Sequence, residues 1–252
     1  MTLHATSPEI PTVARCVRAR IAAGGERVWQ LADFQDQPFA AVAQTLSRLA
    51  RAGEIQRLSK GVYYRPRQTS FGQSHPNSSH LQHLAGQRQP LFPAGIMAAN
   101  LLGLTTQAAR RGEVSTPAGS LPRKLLGADV VIHTRRPAAW AGLGMHDAAV
   151  LECLRRGGRD SDLPPDETTA RLCDWLRQDD RLTRLLQISG TEPPRVRALL
   201  GALGEQLGAS PALLAPLRAL LNPLSRFDFG TFASLPQAAR WQAKPVRPHA
   251  PV

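Results

Sequence analysis

Aromatic residues make up only 5% of this 252-residue chain. Its core must therefore rest on Leu and Ala, which tilts the reading toward helix. The apolar fraction of 42% is enough to form that core and excludes wholesale disorder. Cysteine is scarce and odd in number: Cys16, Cys153 and Cys173 are far apart and no C-x-x-C pair exists. A disulfide framework and a structural zinc site are both excluded on that pattern, and the three read as small buried residues. No run of about 18 apolar residues occurs, and the opening MTLHATSPEIPTVARC has no apolar signal core. The expectation is a soluble, cytoplasmic protein with no membrane contact.

Negative charge is also in short supply. Thirty-one Lys and Arg face nineteen Asp and Glu, a formal net of +12. The excess is uneven: residues 1–75 carry ten basic against five acidic side chains, residues 76–136 seven against two, and residues 137–252 fourteen against twelve. A strongly basic first half beside an ordinary mixed surface points to a nucleic-acid end and a second end with another task.

The periodicity divides the chain into a DNA-binding domain over 8–68, a Ser-, Gln- and His-rich linker over 69–90, an α+β and helical domain over 91–235, and a Pro-rich disordered tail over 236–252. In the first block Val13, Cys16, Val17 and Ile21 recur at helical spacing, with Pro11 or Thr12 at the start and Gly24-Gly25 at the stop. Val28-Trp29 predicts a small strand and residues 31–34 a short helix. Asp36 is expected to cap a longer helix that has Pro38 near its first position, runs to Arg51 and ends at Gly53. Ile55, Leu58, Val62 and Tyr64 then mark two short strands around a Lys60-Gly61 turn. Helix, short strand, short helix, longer helix and hairpin, in that order, are the parts of a winged helix-turn-helix.

On a helical wheel Val42, Leu46 and Leu49 form the buried stripe of the longer helix. Opposite them lie Gln37, Ala40, Ala41, Gln44, Ser47, Arg48 and Arg51. Small residues near the start of a recognition helix let the backbone approach the major groove, and Ala40 and Ala41 can touch a thymine methyl. Gln44 can pair with adenine and Arg48 with guanine, while Arg51 suits a phosphate. The hairpin adds Arg57, Ser59, Lys60, Arg65 and Arg67, with Tyr63 and Tyr64 among them, for phosphate and minor-groove contact. The expected DNA-binding set is Gln44, Ser47, Arg48, Arg51, Arg57, Lys60, Tyr63, Arg65 and Arg67. A polar face opposite a Leu stripe is often only the solvated side of a helix; a basic hairpin beside it is what favours DNA.

Farther along, Ile96, Met97, Asn100, Leu101 and Leu104 predict a short helix from near Pro93 to about Gly103, with Gly95 allowing close backbone approach. The stretch does not fit a phosphate-cradling glycine loop. Asn100, Thr105, Thr106 and Gln107 read as a capped helix end or as a polar site. Residues 113–116, 124–125 and 130–133 predict three short strands. A helical series begins at Met145, with helices expected over 168–178, 181–189, 194–207 and 211–221. The helix over 195–207 carries Val196, Leu199, Leu200, Leu203 and Leu207 at helical spacing, for a core or for a partner protein.

No catalytic constellation stands out. His75, His80 and His83 sit in a Ser/Asn-rich stretch with no carboxylate nearby. Asp129 with Arg123-Lys124 only approximates a nuclease site, because the second acid is missing. Asp160, Asp162, Asp166 and Glu167 read as a solvated loop and a helix N-terminus. No enzyme activity, cofactor or metal is expected.

The runs VAQTLSRLARAGEIQRLSKGVYYRP and PAGIMAANLLGLTTQ resemble two stretches of the AbiEi-type antitoxins of abortive-infection systems. The matching patterns, TLSRLxRxGxIxRLxxGxY-like and then P-[SA]-G-x-x-A-A-x-x-L-G-L-[ST]-T-Q-like, fall at residues 45–63 and 93–107. PPRVRALLGALGEQLG and LNPLSRFDFGTF are similar to the tails of some members, and the helical block after Met145 is longer than in many. The resemblance implies an N-terminal winged helix joined to an antitoxin domain, encoded beside a nucleotidyltransferase-like toxin. It also implies binding to inverted repeats in the chain's own promoter, autorepression of the operon, and neutralisation that needs no stable toxin complex, the type IV arrangement. The sequence thus reads as a mostly helical α+β protein: a winged helix-turn-helix, then an α+β antitoxin-like domain ending in a helical block. The rival readings are a metal-dependent nuclease targeted by the winged helix and a one-component ligand-sensing repressor with no toxin.

Overall fold

The computed structural model describes residues 12–70, 72–74, 76, 89–121, 123–126 and 129–245. The fold is mostly helical α+β. It forms two compact units, one of 1–85 with 122–128 and one of 86–121 with 129–252.

The first unit opens with helix α1 (Val13–Ala23), whose N-cap Thr12 accepts the Arg15 amide. Strand β1 (Arg27–Gln30) and a single 3-10 turn (Leu31–Phe34) lead to helix α2 (Phe39–Arg51). Asp36 does not cap α2; the N-cap is Pro38, with no side-chain bond. Both Asp36 oxygens are instead taken by Arg20, Nη1 and Nη2 each at 2.6 Å. That guanidinium holds the Asp36 carboxyl well below the usual carboxylate range. After Gly53, at φ +75°, come strands β2 (Gln56–Ser59) and β3 (Val62–Arg65), turned at Gly61 with φ +72°. Only glycine takes that left-handed turn without strain. The three strands pair antiparallel in the order β1-β3-β2. Val17, Ile21, Trp29, Phe34, Val42, Leu46 and Ile55 pack between helices and sheet.

Part of the expected linker is ordered. Strand β4 (Gln68–Thr69) pairs with β5 (Gly72–Gln73), and Ser74 Oγ accepts the Arg67 amide at 2.8 Å. Residues 71, 75 and 77–88 of that stretch, with His75, His80 and His83, lie outside the described residues.

In the second unit strands β6 (Phe92–Pro93), β7 (Glu113–Ser115) and β8 (Val131–His133) form one small sheet, β6-β7 antiparallel and β7-β8 parallel. Helix α3 (Gly95–Leu101) starts where expected; a Cβ on Gly95, at φ +55°, would stand 2.5 Å from the Glu113 carboxyl. The strand predicted at 124–125 is instead a helical turn, α4 (Arg123–Leu126), and clusters with the first unit. Short apolar runs carry too little periodicity to separate strand from helix.

Helices α5 (Met145–Arg156), α6 (Pro165–Arg177), α7 (Arg181–Ile188), α8 (Pro194–Gln206) and α9 (Pro211–Ala219) follow. Three of them begin on a proline, whose fixed φ suits the first helical turn and whose missing N–H is no loss there. Helix α8 is buried along Val196, Ala198, Leu199, Leu200, Ala202 and Leu203, so the expected stripe is core. Residues 236–245 are not a disordered tail. Ala238–Trp241 forms a 3-10 turn, Trp241 is fully buried, and Phe227 bridges Ala243. Residues 246–252 lie outside the described residues. Among the described residues no helix is long and apolar enough to cross a membrane.

Candidate nucleic-acid interface

Helix α2 separates its faces much as the wheel predicts. Val42, Thr45, Leu46 and Leu49 are buried, and the Thr45 hydroxyl donates back to the Ala41 carbonyl at 2.8 Å. Ala40, Gln44, Arg48 and Arg51 are exposed, and Gln37, Ala41 and Ser47 half-buried. Arg48 and Arg51 lie in the last turn, where a cation also complements the carbonyl end of the helix.

The hairpin contributes less than its sequence suggests. Arg57 is exposed, its Nε 3.5 Å from the Ser59 carbonyl, and Lys60 is exposed in the turn. Tyr63 is not available to DNA: it is 3% exposed and packs in the core of the first unit. Strand β3 is the middle strand of its sheet, so both of its hydrogen-bonding edges are paired. Tyr63 pairs across from Trp29 on one face, while Tyr64 joins Leu58 and Val62 on the other. The Tyr64 hydroxyl lies 2.7 Å from Glu26 Oε1 and 2.9 Å from Ser74 Oγ. The shared bonds keep the Glu26 carboxyl below its usual range, while burial raises the Tyr64 phenol.

Arg65 leaves the set as well. Its Nη1 donates to the carbonyls of Ile21 and Ala22 at 2.7 and 2.6 Å, closing the C-terminal end of α1. A cation there satisfies carbonyls that the helix leaves open. Arg67 is exposed, its Nε 3.7 Å from Glu26. What stays at the surface of the expected set, besides Arg67, is therefore Gln44, Ser47, Arg48 and Arg51 on α2 and Arg57 and Lys60 on the hairpin. Only one acid, Glu54, occurs between residues 37 and 112, and it is paired with Arg18 at 3.1 Å.

Sequence reasoning passed over Phe39. On the wheel it falls beside Leu46 and reads as core, yet it is 69% exposed. It is the first residue of α2. An exposed aromatic at that end suits apolar contact with a base edge.

In the second unit, the possible polar site at the end of α3 is internally satisfied. Asn100 Nδ2 donates to the Gln107 carbonyl at 2.9 Å, Gln107 Nε2 to Asp162 Oδ1 at 2.6 Å, and the Thr105 hydroxyl to Asp162 Oδ2. Asp162 is exposed in its loop, as expected, and accepts both bonds there, while Asp160 is paired with Arg156. Asp166 and Glu167 do stand in the first turn of α6. Cys153 and Cys173 are buried, and burial pushes the Cys153 thiol up to about 12; Cys16 is only half-buried.

No protein-family profile matches the chain, and no curated protein matches it. Among solved structures it is similar to the RV2827C protein from Mycobacterium tuberculosis, at 20% identity over 88% of this chain and 87% of that one, with a TM-score of 0.43.

Proposed function

We propose that this chain is a sequence-specific, double-stranded-DNA-binding antitoxin and autorepressor of its own operon, acting in the cytoplasm against a nucleotidyltransferase-like toxin. The observation that supports the DNA half is the exposure of Gln44, Arg48 and Arg51 on α2 and of Arg57 and Lys60 on the hairpin, with Val42, Leu46 and Leu49 buried. In this reading the first unit is a winged helix-turn-helix, the 3-10 turn and α2 are its helix-turn-helix, and β2-β3 is its wing. The antitoxin half rests on the resemblance of residues 45–63 and 93–107 to the AbiEi-type stretches. A neighbouring nucleotidyltransferase-like gene whose toxicity is relieved on co-expression of this chain tests that half.

The DNA half is tested by two substitutions that must differ in kind. Arg48→Ala removes a group aimed at base edges; it is expected to cost about 1–3 kcal/mol and to relax preference at one base position. Lys60→Ala removes a phosphate contact; it weakens all sequences alike and lowers the salt slope by about one. Fluorescence anisotropy on a set of single-base operator variants separates the two. Equal losses with unchanged specificity contradict the docking.

A further inference from the structure

A cavity of about 230 Å³ in the second unit is lined by His133, Arg136, Glu152, Arg155, Arg156 and Arg195, together with the chain at the start of α8. Four guanidiniums and Glu152 line it, and Glu113 stands beside it, its Oε2 3.1 Å from His133 Nε2 and 3.5 Å from Arg156 Nη1. Three of the four guanidiniums are paired with carboxylates. Arg136 donates to both Glu152 oxygens, at 2.6 and 3.0 Å. Arg155 Nη2 is 2.7 Å from Glu192, whose side chain is fully buried, and Arg156 grips Asp160, Nη2 at 2.8 Å.

Arg195 is different. Its Nη2 donates to the backbone carbonyl of Arg155, and among the described residues no carboxylate pairs with it. The Arg155 Nε is also buried without a hydrogen-bond partner. Burial lowers the Arg155 pKa and the neighbouring Arg136 charge adds to that, with Glu192 opposing both. Arg195 is thus the one guanidinium of the four with which no carboxylate pairs among the described residues. The first turn of α8 opens onto the same space at Pro193 and Val196, so the positive end of a 13-residue helix adds to the field.

Size narrows the ligand. The cavity holds the volume of roughly seven or eight liquid waters at about 30 Å³ each. It falls below the roughly 300–1,000 Å³ of sites that enclose a drug-sized molecule. A phosphate or diphosphate group fits, and planar guanidinium forks match its oxygens. We propose that this cavity binds the phosphate or diphosphate group of a small phosphorylated molecule, with Arg195 supplying the unpaired charge. The proposal is independent of DNA binding by the first unit.

Calorimetric titration of the full chain with inorganic pyrophosphate, in chloride buffer at constant ionic strength, tests it. One saturable site is expected, weakened at least about tenfold in Arg195→Ala. Arg195 is the right choice because its loss orphans no buried carboxylate. Absence of saturable heat in the wild type, or equal affinity in Arg195→Ala, overturns the proposal. Should that variant unfold, the wild type still decides through phenylglyoxal modification mapped by mass spectrometry. Pyrophosphate is expected to slow modification of Arg195 and Arg156 and to leave Arg226, an exposed side chain bonded only to backbone carbonyls, unchanged. Equal rates with and without pyrophosphate at all three overturn it.

Discussion

Trp241→Ala is expected to lower the unfolding free energy of the second unit by about 3–5 kcal/mol, the range for deleting a fully buried aromatic. The indole is 0% exposed and lies against α8 at Gly201. A Cβ placed on Gly201 would stand 2.2 to 2.4 Å from its ring carbons, so the absent side chain of Gly201 is what makes the seat. Nε1 donates to Glu205 Oε2 at 2.7 Å, and Arg218 lies over the ring at 4.6 Å. Truncation removes the ring, its hydrogen bond and the cation–π contact together, and leaves a cavity beside the buried helix α8. Gly201→Ala attacks the same seat from the other side and should cost about 1–3 kcal/mol through overpacking. Urea unfolding followed by far-UV circular dichroism reads both. An unchanged midpoint in Trp241→Ala would mean that residues 236–245 do not pack, as the Pro-rich composition alone suggests.

Asp147→Ala should be comparably damaging, at about 3–5 kcal/mol. Asp147 stands in the first turn of α5 and accepts Arg181 Nε at 2.6 Å and Arg184 Nε at 3.1 Å. The Asp147 and Arg181 side chains are each only 6% exposed. Removing the carboxylate leaves the buried Arg181 guanidinium only the exposed Asp179, 3.8 Å away, and that poorly compensated charge is the source of the loss. Replacing both partners with apolar residues of similar volume should restore much of the stability, because the desolvation of two ions disappears along with their attraction. Chemical denaturation of the two single variants and the double variant forms the cycle. A loss below about 1 kcal/mol in Asp147→Ala, as for an exposed pair, contradicts this account.

The elements legible in the sequence are those whose signals are local. Thr12 at an N-cap, Gly53 and Gly61 at positive φ, and the spacing of Val42, Leu46 and Leu49 each decide a conformation within a few residues. What failed depends on partners that are distant along the chain. Tyr63 looks like a hairpin aromatic until Val17, Ile21, Trp29 and Leu46, from earlier elements, pack with it in the core. Arg65 looks like a phosphate ligand until the end of α1, more than forty residues earlier, presents its carbonyls. Asp36 looks like a cap until Arg20 claims both its oxygens. Trp241 needs the groove that Gly201 leaves, and the arginine cavity joins β8, the stretch after it, α5 and the start of α8. Nothing in residue spacing marks such a seat. Phe39 fails in the opposite sense, since the wheel places it in a core that ends before it.

The central claim is that α2 and the β2-β3 turn read duplex DNA. The most direct measurement is anisotropy of the full chain on a labelled duplex from its own upstream region, against a scrambled duplex of equal length, across a salt series. The account predicts tighter binding to the upstream duplex, and affinity that falls log-linearly with salt at a slope of about −0.9 per phosphate contacted. Equal affinity for both duplexes, or no binding to either at low salt, contradicts it.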